Sequence, residues 1–433
     1  MLNGNPWEYG TFSIYGTEVL LWFIVAFSLA HASLRFFHAS ARQIRLSLVL
    51  VALFLLILPG ISIFYSLDRA IAFRAWLTLA EGVGLFYILT KSSVSREKAM
   101  YAFLAGMALQ AGLGMYQFFT QSTFASTLLG MASHDPAVLG TSVVQTISER
   151  WLRAYGTLPH PNMLAGYLVA AITLLLNSKL KTQNILQIIG YYLLLTLFTT
   201  ALFFTFSRGA WIALFIGLAT IFYFSSKALG ITTKKNGIAG RAGTVPPQPA
   251  ESEAEIRADA STPDSRTEFF RGVIPSACVV STFTLLSIIF WQPFSARLMG
   301  QERLEVRSNQ DHVMSITSAF PIIRESPLWG VGIGNYTTAL HKENPGISAW
   351  DLQPPHNIFI LILVELGAVG FILFLALLIL FFKAIPITNY YLLLTLLVLG
   401  LFDHYLWSLY AGVLFFWAIC GLAFSTNFKN TAG

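Results

Sequence analysis

The sequence predicts an all-α integral membrane protein of eleven or twelve transmembrane helices, with a large outer-face loop between the eighth and ninth. Three observations carry this. Hydrophobic residues fill 55% of 433 positions and charged residues only 11%, against roughly 25% charged in a soluble domain, so the chain cannot cover itself with a water-facing surface. Aromatics reach 14%, with 36 Phe and 10 Trp, which suits a protein solvated by lipid and anchored at both interfaces. Apolar runs of about 20 residues, the length that crosses a bilayer, recur along the chain, and mean hydropathy is +0.64.

The runs fall at 17–34, 44–66, 70–90, 100–120, 160–177, 184–206, 209–226, 272–291, 356–382, 387–402 and 406–425. Basic residues set their direction. Arg35, Arg42 and Arg45 follow the first run, Lys91, Arg96 and Lys98 the third, and Lys179 and Lys181 the fifth. With the segment after the seventh run, Lys383 and Lys429, these alternate loops hold 17 of the 27 Lys and Arg. That side is the cytoplasm, so the N-terminus is expected outside and the C-terminus inside, in the inner (cytoplasmic) membrane. The net charge of +6 reflects this sidedness, and no nucleic-acid partner is expected. Cys278 and Cys420 lie inside apolar runs, which makes them poor disulfide candidates and gives no zinc spacing. The N-terminus lacks a basic region and a small-residue cleavage site and is expected to be retained.

Composition divides the chain into a membrane half at 1–226, a cytoplasmic linker at 227–271, a second membrane half at 272–425 and a tail at 426–433. The linker is rich in Gly, Pro, Ala, Ser and charge and is expected to be disordered. Two outer segments are long, at 121–159 and 292–355. Ten basic residues remain for the outer side and nine are arginine. Arginine binds phosphate through a planar fork and stays charged. Arg69 and Arg297 are expected to snorkel at the membrane edge; the others make an anion site one reading, with interfacial anchoring the other.

Four motifs lie on that side. Ser207-Arg208-Gly209 opens the seventh run, placing a charge at a membrane boundary where it must be paired or used. Arg153-Ala-Tyr-Gly156 leads to His160-Pro161-Asn162 at a helix start, where free backbone N–H groups favour an anion. In the second segment, Glu302-Arg303-Leu-Glu305-Val-Arg307-Ser308 begins an amphipathic stretch, and Gly330-Val-Gly332-Ile-Gly334 makes a turn without the parallel strands of a nucleotide fold. Pro354-Pro355-His356-Asn357 then starts the ninth run. A neutral imidazole at His356 can take a proton from a hydroxyl, and an interfacial histidine is the structural alternative. Glu365, nine residues on, lies on another helix face and is assigned to a helix contact. Trp407 is assigned to an aromatic anchor, with Asp403 and His404 left open. No outer Asp-x-Asp pair occurs, so neither metal nor cofactor is expected.

In this order, Arg-x-x-Gly…His-Pro-Asn at 153–162, Ser-Arg-Gly at 207–209, Ser-Pro-Leu-x-Gly-Val-Gly at 326–332 and His-Asn…Glu-x-Gly-x-x-Gly at 356–370 resemble the O-antigen ligase and polymerase superfamily of bacterial membrane glycan transferases. The resemblance spans about 150–425. It implies transfer of an oligo- or polysaccharide from an undecaprenyl-diphosphate carrier to a glycan, lipid or protein acceptor, without nucleotide sugar or metal. Carried onto this sequence, Arg208 holds the diphosphate and His356 activates the acceptor hydroxyl. Arg153, His160, Asn162 and Asn357 join the substrate-binding set. The family's loop arginine, four residues after a serine, is His312 here, and Arg303 or Arg307 is assigned to supply the missing charge. The alternatives are protein O-oligosaccharyl transfer, a small-anion transporter and an inactive scaffold. Transporters place their charges near mid-membrane, whereas Arg and His gather here at one face.

Overall fold

The computed structural model describes residues 16–32, 55–90, 95–177, 184–239, 265–346, 348 and 351–424. Helices occupy the predicted apolar runs: α1 (Gly16–Ala32), α2 (Arg69–Thr90), α3 (Arg96–Thr120), α4 (Pro161–Asn177), α5 (Ile185–Phe204), α6 (Arg208–Ala239), α7 (Ser265–Ile289), α12 (Ile358–Ala384), α13 (Tyr390–Phe402) and α15 (Tyr410–Phe424). The run predicted at 44–66 is helical over 55–62, its earlier part lying outside the described residues. Among the described residues, five helices are long and apolar enough to cross a membrane, and a sixth crossing is reached if α7 and the bent segment after it count as one. The short helix α14 (Tyr405–Ser408) links α13 to α15.

The helix starts follow local chemistry. Pro161 opens α4, where its missing N–H has no cost. Asn184 caps α5 by accepting from Gln187 N at 2.9 Å, and Asn357 caps α12 by accepting from Phe359 N and Ile360 N at 2.9 and 3.1 Å. Both satisfy N–H groups that a helix terminus leaves without partners.

The two long segments are structured, a correction to the loops expected there. The first carries a two-stranded antiparallel hairpin, β1 (Val143–Gln145) with β2 (Arg150–Leu152), Val144 opposite Trp151. The second is a chain of short helices: α8 (Trp291–Met299), α9 (Arg303–Thr317), α10 (Ala319–Glu325) and α11 (Tyr336–Glu343). The chain turns by 97° between α7 and this segment. Helical backbone also enters both ends of the predicted linker, to Ala239 and from Ser265, since no proline interrupts either flank. Residues 240–264 lie outside the described residues.

α12 is broken rather than continuous. Gly367 sits at φ +65°, ψ −172° inside it. The turn at 327–332 repairs the break: Val331 N and Gly332 N donate to the carbonyls of Val364 and Glu365 at 3.0 and 2.8 Å, and Ala368 N and Val369 N donate to Pro327 O and Leu328 O at 2.9 and 3.3 Å. A Cβ at Gly367 would lie 2.2 Å from Leu328 O. The glycine is therefore required twice over, by its φ and by the approach of the turn.

Candidate functional site

Helix termini meet at one end of the bundle: the starts of α4, α6 and α12 and the ends of α5 and α13. Between α5 and α6 the chain turns through Phe206, a fully buried non-glycine residue at φ +48°. Such a conformation persists only where its surroundings fix it. Here the ring lies among Phe118, Phe203 and Trp211, with centroids 6.0, 5.5 and 6.2 Å away. The turn presents successive carbonyls to two buried guanidinium groups. Arg153 Nε donates to Thr205 O at 2.6 Å and Arg297 Nε to Phe206 O at 2.8 Å.

Arg297 also pairs with Glu305, whose carboxylate lies 3.9 Å from Arg208. Arg208 donates to Asn309 Oδ1 at 2.6 Å and keeps its side chain 28% exposed. One buried carboxylate thus faces two guanidinium groups, with Arg153 close enough for Arg297 to oppose its charge. Burial, and then Arg297, pushes the Arg153 guanidinium below its usual range, yet an arginine stays protonated at neutral pH. The arrangement carries excess positive charge with one arginine open to solvent.

Asp403, at the end of α13, organises the other half. Its Oδ2 accepts from Asn162 Nδ2 at 2.8 Å, and Asn162 Oδ1 in turn accepts from Arg153 at 2.6 Å. Its Oδ1 accepts from His404 N at 2.8 Å and lies 3.7 Å from His356 Nδ1. The His356 ring sits against those of His312 and His404, with centroids 4.1 and 5.1 Å apart. Burial opposes the charge on Asp403, but His356 and the adjacent imidazoles outweigh it and hold the carboxyl below the usual range. Burial, then His356, Arg208 and Arg297, pushes His312 down to about 4 against the pull of Asp403. Burial likewise takes His404 to about 4. Both rings are neutral near pH 7. Beside a carboxylate and two neutral rings, His356 is placed to accept a proton.

Among the sequence-predicted residues, Arg153, Asn162, Arg208 and His356 converge. His160 stands beside them. Its Nδ1 accepts from Asn162 N at 3.2 Å, so Nε2 carries the hydrogen, 3.0 Å from Ser142 Oγ. Asn357 is occupied as the α12 cap, and its Nδ2 donates to Leu401 O at 3.3 Å. Arg303 and Arg307 are not brought in, correcting their assignment as the substitute charge. Both are exposed, and Arg307 pairs with Asp311 at 3.8 Å on the outer face of α9. Arg297 takes the place expected of them, a correction to its reading as a snorkelling side chain. Glu365 makes the expected helix contact, accepting from Trp407 Nε1 at 2.8 Å, so Trp407 bonds inside the protein rather than serving only as an interfacial anchor. Gly209 admits a helix rather than a ligand: a Cβ there would lie 2.7 Å from Phe402 Cβ.

Sequence reasoning missed Glu305 and Gln117 and left Asp403 and His404 open. Gln117, fully buried on α3, holds the 155–156 turn: Oε1 accepts from Tyr155 N and Gly156 N at 3.1 and 2.8 Å, and Nε2 donates to Gly156 O at 2.7 Å. The spacing of α9 offered a signal for Glu305. Glu305, Asn309 and His312 share one helical face, whereas Arg303 and Arg307 lie two residues to either side of Glu305, roughly 200° around the helix. No metal-ligand spacing is visible along the chain either, yet the fold gathers one ligand atom each from His356, Asp403 and His404 within 4.8 Å of one another.

No curated protein matches the chain at a significant level. A family model described as O-antigen ligase matches residues 193–375, a stretch that takes in Arg208, Arg297, Glu305, His312 and His356 and ends just past the break in α12. With His356 and Arg208 gathered at one end of the bundle, the chain is similar over this stretch to the O-antigen ligase family.

Proposed function

We propose that this chain transfers an oligo- or polysaccharide from an undecaprenyl-diphosphate carrier to an acceptor hydroxyl at the outer face of the cytoplasmic membrane. The N-terminus lies outside and the C-terminus in the cytoplasm. The observation that carries this reading is the meeting of His356, beside Asp403, with Arg208 and Arg297 around Glu305. A base and an anion site at one end of a membrane bundle match the two charges that develop when a hydroxyl displaces a lipid diphosphate.

In this reaction His356 removes the acceptor proton as the oxygen bonds to the anomeric carbon. The carbon–oxygen bond to the diphosphate breaks, the bonding pair leaves with the diphosphate, and the anomeric configuration inverts. Arg208, the exposed guanidinium, meets the developing charge. Arg153 and Arg297 hold the turn that aims it. Donors fixed beforehand stabilise such charge better than water that must reorganise. The proton on His356 passes to solvent before the next turnover.

Purified chain in lipid nanodiscs, given undecaprenyl-diphosphate oligosaccharide and a glycolipid, a free oligosaccharide or a serine-containing peptide, tests this. Free undecaprenyl diphosphate is expected with one acceptor class. His356→Ala is expected to lower turnover by about 10²–10⁴-fold and Arg208→Ala by about 10²–10³-fold, with melting temperatures preserved. Donor binding without turnover on any acceptor, or full activity of His356→Ala, would overturn the proposal.

A further inference from the structure

We infer that His356, Asp403 and His404 form a binding site for a borderline-soft divalent transition ion, with Zn²⁺ as the natural probe. One ligand atom from each lies within 4.8 Å of the other two. The spacing of His356 Nδ1 and Asp403 Oδ1, 3.7 Å, is too long for a hydrogen bond. Two atoms sharing a tetrahedral zinc at ordinary bond lengths lie about 3.4 Å apart, so a shift of a few tenths of an ångström admits an ion between them. His356 Nδ1 is buried and makes no hydrogen bond of ordinary length.

The surrounding bonds prepare the ligands. Ser408 Oγ donates to His404 O at 3.1 Å, so at 2.7 Å it accepts from His404 Nδ1–H. That fixes the His404 tautomer with its lone pair on Nε2. Asn162 Nδ2 and His404 N orient the Asp403 carboxylate. Such outer partners set ring orientation and ligand basicity at metal centres. His312, its ring against that of His356, adds an imidazole at the margin. A set dominated by imidazole with one carboxylate suits zinc, copper or nickel and not the oxygen-seeking magnesium or calcium. Arg208 and Arg153 weaken the attraction for a cation without removing it, because each is already engaged, Arg208 with Asn309 and Arg153 with Thr205 O and Asn162.

A bound ion takes the lone pair of the imidazole assigned above as the base. On that reading of the reaction, Zn²⁺ blocks transfer by withholding the proton acceptor, and a chelator restores it. Metal content after equilibrium dialysis of the detergent-solubilised chain against ZnCl₂ tests binding without reference to activity. One Zn²⁺ per chain is expected for the wild type and for His341→Ala, a histidine outside the cluster. His404→Gln and Asp403→Asn are expected to lose at least tenfold in affinity, with thermal unfolding by tryptophan fluorescence establishing that both are folded. X-ray absorption at the zinc edge is expected to show imidazole and carboxylate ligands. Uptake unchanged in the folded variants, or no uptake by the wild type, would sink the site. Binding without inhibition keeps the site and removes His356 as the base; inhibition by His356→Ala without zinc uptake does the reverse.

Discussion

Asp403 is the residue on which the candidate site turns, because its two oxygens tie together segments far apart in sequence. Asn162 is 241 positions away, and no local pattern announces that contact. The neighbouring histidines make the site sensitive to acid. His312 and His404 sit near 4 in the fold against 6.5 in an unfolded chain. Between those values the unfolded state binds more protons, so stability falls as pH drops from 6.5 towards 4 and levels out below that. Asp403 acts in a different window, since its contribution fades only as pH falls below its ordinary 3.8. Melting of the detergent-solubilised wild type is expected to decline steadily from pH 6.5 to 4.5. His404→Asn is expected to recover on the order of 2 kcal/mol of that loss; an unchanged pH slope would contradict the shift.

At the scale of elements, α9 shows why part of the site was legible in the sequence and part was not. The sequence placed Arg208 and His356 correctly at helix starts, because prolines, glycines and the edges of apolar runs mark those starts locally. It misjudged the arginines of the second long segment, because which face of a short helix turns inward depends on the partner it meets. Glu305 turns inward to Arg297, which carries Arg303 and Arg307 outward. The short hairpin at 143–152 was equally hidden, with only three residues in each strand. The Arg297–Glu305 pair gives this placement a test. Glu305 is 1% exposed, so Arg297→Ala leaves a buried carboxylate with only Arg208, 3.9 Å away, opposite it and is expected to cost about 3 kcal/mol. Arg297→Met with Glu305→Leu is expected to regain most of it. Chemical denaturation of both variants measures the difference, and equal losses would argue against the pairing.

For the whole molecule, the apolar runs were readable because lipid imposes one rule on every spanning segment: the backbone must satisfy itself. The direction of those segments rests on basic residues alone and can be measured in cells. With Cys278 and Cys420 replaced by alanine, a cysteine at Thr317 is expected to react with a membrane-impermeant maleimide in spheroplasts. One at Ser252, in the linker, is expected to react only after lysis. Reversal of the two would invert the topology and move the candidate site to the cytoplasm.

The broken helix α12 extends that rule to the order of assembly. Around Gly367 its carbonyls and amides are completed by the 327–332 turn, so α12 alone would carry bare polar groups into hydrocarbon. The turn precedes α12 in the chain and leaves the ribosome first. The two halves of α12 are therefore expected to settle only once the 327–332 turn lies beside them: a chain in which that turn misfolds leaves the backbone groups around Gly367 without partners.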